Sequence, residues 1–159
     1  MLDELDNFKQ PVYTLRLWSY AEAVDALPYL CVLTRALRDD WVSMHQARLV
    51  CQRALEISRR PNREDLVRRE EASRDWHAAA QKFEETLTEL SAIDVACFDP
   101  TQGLALIPFQ QDGQLAWFLF DLFAPQHLTA WRFHTDPLDT QRPLSAMQRL
   151  RYLTPIAGE

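Results

Sequence analysis

Two hydrophobic periods divide this chain. From residue 30 to about residue 93, apolar side chains recur at the seven-residue spacing of helices with one buried stripe. Leu30, Leu37, Met44 and Cys51 mark the first stripe, with Trp41 and Leu55 between them. Leu66, Ser73, Trp76, Ala80, Phe83, Leu87 and Leu90 mark the second. The two stripes are separated by SRRPN at 58–62, where the residue before Pro61 is pushed out of the helical region. Asn62 is placed to cap a second helix over 63–93. Two stripes joined by so short a break predict an antiparallel helical hairpin, because neither helix buries its stripe alone.

After Asp94 the period shortens. Residues 103–109, 114–123 and 128–133 are short apolar runs split by QQDG and APQ, which predicts an antiparallel meander with Asp112 and Gly113 at a tight turn. Upstream, VYTLRL at 12–17 alternates and reads as a strand. Ser19 and Glu22 form the S-x-x-E box that opens a helix, and Pro28 predicts a kink or a fresh helix start. Ser145 would cap a last helical turn or two over 145–153. The expected fold is a single α+β domain over 1–159. It comprises a strand (12–17), a helical hairpin (19–93), a three- to four-stranded antiparallel sheet built on the meander (103–133), and a closing loop with a short helix (134–159).

The order of these pieces resembles a bacterial family catalogued as domain of unknown function number 2203. YTLRLWSYAEAVDALPYL resembles its opening: a short strand, a Glu-Ala pair, and Leu-Pro entering a long helix. GLALIPF, DG, AWFLFDLF, AW and RPL occupy the order of its second half. The resemblance spans residues 12–144 and implies a helical hairpin joined to a small antiparallel sheet, with no known activity. Where the family pattern is polar in its strands, this chain has Leu106, Asp121, Ala124 and Arg132, so any chemistry shared within the family does not carry over directly.

Composition narrows the function classes. An apolar fraction of 47% with 25% charged residues is that of an ordinary globular chain. A net charge of −6 argues against a dedicated nucleic-acid binder, which needs a basic excess to displace counterions. The opening MLDELDNFKQPVY is acidic where a signal peptide is basic, and no run approaches the roughly 20 apolar residues of a membrane span, so a cytoplasmic location without a membrane partner is expected. Cys31, Cys51 and Cys97 are odd in number and lack CxxC spacing, so they are expected as small buried hydrophobes rather than disulfides or zinc ligands.

The densest candidate chemistry is WRFHTDPLDTQRPL at 131–144. His134 with Asp136 would serve as an acid/base pair or as two metal ligands, and Arg132 with Arg142 would clamp a carboxylate or phosphate. The opposing reading is a tied loop, since Asp-Pro and Arg-Pro are turn dipeptides. His45 and His77 fall at matching heights on the hairpin but lack further donors for a metal. The tip carries Arg59, Arg60, Arg63, Arg68 and Arg69, with Glu64 to Arg68, Asp65 to Arg69 and Glu70 to Arg74 spaced for helix pairing.

On the middle strand, Trp117, Phe120 and Phe123 add apolar surface to both faces, more than one hairpin can cover, which points to a homodimer interface. No catalytic, cofactor or metal motif emerges. The expected function is a non-enzymatic protein-binding or scaffold module acting as a homodimer. The alternative is a small-molecule or metal-dependent enzyme using Asp121, Arg132, His134 and Asp136, with Arg142 as a further ligand or partner candidate.

Overall fold

In a computed structural model, residues 14–57 and 59–144 are described; the expected helix at 145–153 and its Ser145 cap lie outside them. Helix α1 spans Tyr20–Asp25, α2 Leu27–Leu55 and α3 Arg63–Ala92. Five strands follow: β1 Ala96–Asp99, β2 Leu104–Gln111, β3 Gln114–Asp121, β4 Leu128–Phe133 and β5 Arg142–Pro143. They form one antiparallel sheet in the order β1-β2-β3-β4-β5, and α2 and α3 pack as the expected hairpin. The class is α+β, with β1 and β5 added to the expected sheet.

Local chemistry explains where each helix starts. The Glu22 amide donates to Ser19 Oγ at 3.1 Å while the Glu22 carboxylate accepts from the Ser19 amide, and Arg16 pairs with Glu22 at 2.8 Å. Pro28 falls in the first turn of α2, where its missing N–H is not needed, so it starts a fresh helix rather than kinking an old one. At the tip, Asn62 and Asp65 form a reciprocal box, each side chain accepting the other's amide at 2.8 and 3.0 Å.

That box changes the tip pairing expected from spacing. Asp65 is buried and takes both guanidinium nitrogens of Arg59, while Arg69 donates instead to the Ala54 carbonyl across the hairpin at 3.0 Å. Capping backbone amides outcompetes an exposed pair four residues away. The Glu64–Arg68 and Glu70–Arg74 pairs form as spaced. The stripe also rotates here: Leu55 and Leu66 are exposed while Asp65 and Ala72 turn inward.

Residues 14–17 are not a strand. They run as irregular chain held by single bonds: the Arg16 amide to Asp94 Oδ2 at 2.8 Å, and the neighbouring Trp18 amide to the Pro108 carbonyl at 2.7 Å. Residues 12 and 13 lie outside the described set. Pro108 stands in a central strand, normally unfavourable for want of a donor. In an antiparallel strand the N–H and C=O of one residue point to the same side. Because its C=O points to Trp18, its missing donor does too, and no bond to β3 is lost.

The core lies between the hairpin base and one face of the sheet. Ala105, Ile107 and Phe109 of β2, Ala116, Phe118 and Phe120 of β3 and Trp131 of β4 meet Leu30, Leu33, Leu37 and Leu90. Phe109 and Phe118 stack at 3.8 Å between centroids. Asp112 and Gly113, at φ 52° and 74°, make the tight turn expected from the sequence. Gly103 is fixed by close approach as well as by its positive φ, since a Cβ there would come within 2.7 Å of the Leu122 Cβ.

Candidate functional site

Strand alternation sorts the 131–144 segment onto two faces. Trp131 pairs with Phe118 on the core face and Arg132 pairs with Trp117 on the outer face. Beyond β4, residues 134–141 turn back and Leu138 to Gln141 line the outer face, leaving an apolar cavity there rather than covering it.

Two of the five candidate polar groups, Asp136 and Arg142, are consumed by this loop. Asp136 accepts the Phe133 amide at 2.9 Å and Arg142 Nε and Nη2 at 2.8 and 2.9 Å. Arg142 first, with the Phe133 amide assisting, lowers the Asp136 carboxyl to a pKa of about 2. Arg142 in turn lies over the Phe133 and Trp131 rings at 4.9 and 5.4 Å. It sits in register with Trp131 on the core face, so it shares no clamp with Arg132.

His134 is exposed and its Nδ1 accepts the Trp117 Nε1–H at 3.1 Å. Asp121 shapes the β3–β4 turn by accepting the Phe123 amide at 2.9 Å. The structure therefore does not bring Asp121, Arg132, His134 and Asp136 together as a catalytic group. Among the described residues, no cluster of three or more His, Cys, Asp or Glu side chains is arranged to hold a metal.

Arg132 is left over. It is 7% exposed, and among the described residues it makes no hydrogen bond or ion pair. It borders an outer-face cavity of about 300 Å³ walled by Phe98, Leu104, Leu106, Leu119 and Leu138, with Asp139, Thr140 and Gln141 on the rim. Alternation along β4 placed Arg132 on this face. Its lack of a partner depends on where the loop acids go, which residue spacing does not show.

A second concavity lies on the hairpin. Trp41, Met44, His45 and Arg48 of α2 face Trp76, His77 and Ala80 of α3 around about 460 Å³. Trp41 stacks on His45 at 6.3 Å and touches Phe83, which packs on the sheet core, so this groove continues the core beyond the end of the sheet. The two histidines do fall at matching heights, on its rims.

The interface candidates separate. Phe120 is fully buried in the core, because β3 turns it inward with Phe118, and it is not available to a partner. Phe123 is exposed beneath the Arg38 guanidinium, and Trp117 is half-buried on the outer face. Of the cysteines only Cys51 is fully buried; Cys31 and Cys97 are half-buried, and burial pushes both of those thiols above their ordinary pKa, away from reactive thiolate character. No described helix is long and apolar enough to cross a membrane. Comparison with known proteins returns no match: no family model, no curated protein and no solved structure matches the chain.

Proposed function

We propose that this protein is a non-enzymatic binding or scaffold module that acts as a homodimer through the distal arm of its helical hairpin. One observation carries this reading: the groove of Trp41, Met44, Trp76 and Ala80 extends the core past the last strand, where no described element covers it. A two-helix arm with one mutual seam leaves apolar surface that a third layer normally buries. The groove presents a Trp and a His from each helix, so it is the kind of self-similar patch that a twofold contact needs. Because each sheet occupies the base of the same face, the compatible twofold runs across the hairpin. The arms then overlap antiparallel with the sheets at opposite ends. A cytoplasmic location and the resemblance to family 2203 belong to the same proposal; the latter rests on element order alone.

Light scattering coupled to size exclusion tests the reading. A dimer mass is expected at micromolar concentration, and Ala80→Glu, which places a charge in the groove at a helix-tolerant position, should give a monomer with unchanged helical circular dichroism. A monomer for the unmodified chain up to about 100 µM, far above the micromolar constants of weak specific dimers, would remove it.

A further inference from the structure

We propose that the outer-face cavity is a binding site for a monocarboxylate with an aliphatic tail, held by Arg132. A guanidinium is cationic at any physiological pH, so it cannot escape burial by losing its proton as a lysine or histidine would. Taking such a charge out of water is costly unless an anion or a set of acceptors meets it.

Arg132 is 7% exposed, and among the described residues it makes no hydrogen bond or ion pair; Asp136 attracts it only through space. The nearest carboxylates are otherwise disposed. Asp136 is bound bidentate by Arg142, and Asp139 stands exposed on the rim without an ion pair to Arg132. The donor fork is therefore free and borders a cavity of about 300 Å³.

The walls select the rest of the ligand. Phe98, Leu104, Leu106, Leu119 and Leu138 offer apolar contact and no donors. A single guanidinium with its planar fork matches one carboxylate, two nitrogens to two oxygens. A phosphate dianion would bring a second charge and further oxygens into a leucine-lined space where Arg132 is the one cationic group and only Thr140 and Gln141 on the rim could donate besides. A tail lying on Leu104, Leu106 and Leu119 gains the transfer free energy of each methylene it removes from water. This site is separate from the hairpin groove and does not rest on the dimer.

The test uses octanoate as the probe, followed by calorimetry and by amide NMR on the full chain. Saturable one-to-one binding is expected, with the largest shifts in β2 to β4 and at 138–141. Octanol, with the same tail and no charge, should bind at least tenfold more weakly, and so should inorganic phosphate. Arg132→Met should weaken octanoate at least tenfold, the scale of a lost charge-assisted pair. Asp139→Asn, which removes the one like charge on the rim, should tighten it two- to threefold. The idea is overturned if octanoate does not bind at about 10 mM, if octanol or phosphate binds as well, or if Arg132→Met binds octanoate equally. Should Arg132→Met not fold, the octanol comparison and Asp139→Asn decide the matter on folded protein.

Discussion

At its base the hairpin lies under the sheet, and Leu30, Leu33, Leu37 and Leu90 are each no more than 4% exposed. Towards the tip the same two helices have only each other, and there Cys51, Asp65 and Ala72 are the fully buried residues among those described. With 29 residues in α2, a rise of about 1.5 Å each makes a rod about 43 Å long, so the arm projects well beyond the sheet. The base is held by aromatic and leucine packing. The arm relies on polar devices placed at intervals: Thr86 donating to the buried Asp40 at 2.7 Å with Lys82 nearby, and the Asn62–Asp65–Arg59 cluster at the tip. The contrast shows how one helix pair can be held by a core at one end and by polar devices at the other. Apolar burial supplies bulk stability, whereas caps and bonded carboxylates fix geometry while leaving side chains free.

The sharpest way to break this contrast is to cut the base. Phe118→Ala should cost about 3–5 kcal/mol in denaturant unfolding, and Leu37→Ala about 2–5 kcal/mol. Leu66→Ala, on the exposed side of the arm, should stay within about 0.5 kcal/mol. Equal losses at Leu37 and Leu66 would mean that the arm is as tightly cored as the base.

A smaller effect is expected from Asn62→Ala, about 1 kcal/mol for a lost cap. Hydrogen exchange should show that loss in the first turn of α3, with β2 and β3 little changed. If exchange rises uniformly, the tip is not an independent unit.

Acid should separate the two ends further. The Asp65 carboxyl is lowered chiefly by the Asn62 amide and then by Arg59, and that of Asp136 is lowered to about 2, chiefly by Arg142. A depressed folded-state pKa means that the carboxylate stabilises the fold above its unfolded value. That contribution is lost as pH falls through the folded one. Below about pH 4 the tip should therefore loosen, and between about pH 4 and pH 2 the 134–142 loop, while the ring contacts around Phe118 persist. Carboxyl chemical shifts of Asp65 and Asp136 would report it, and a midpoint near 4 for Asp136 would contradict the Arg142 pairing. The smallest effect belongs to the exposed Glu70–Arg74 pair, whose removal should change stability by only about 0.3 kcal/mol and less in high salt.

The sequence was most legible where one local interaction decides the outcome. Ser19 and Glu22, Pro28, Asn62 and the Asp112–Gly113 turn each act over a few residues, and each stands where spacing placed it. It was least legible where distant partners compete. Asp65 is spaced to pair with Arg69 yet caps α3 with Arg59, and residues 14–17 alternate like a strand yet have no strand beside them. Strands β1 and β5, of four and two residues, are too short to show a period. At the outer-face cavity, alternation separated Arg132 from Trp131. Only the folded loop shows that Asp136 goes to Arg142 and that Arg132 keeps an open fork.

The bond from Trp18 to Pro108 has one more consequence. A sheet with a free edge is a template on which another chain's strand can grow. Here β1 ends at Asp99 after a bulge, and just past the reach of its pairing β2 meets a would-be newcomer with a proline that cannot donate and a carbonyl already occupied. On the opposite margin, β5 is two residues long and ends on Pro143. Both margins described are short, four residues at β1 and two at β5, so each offers few backbone groups to an added strand. Short margins of this kind disfavour the cross-strand growth that leads to fibres.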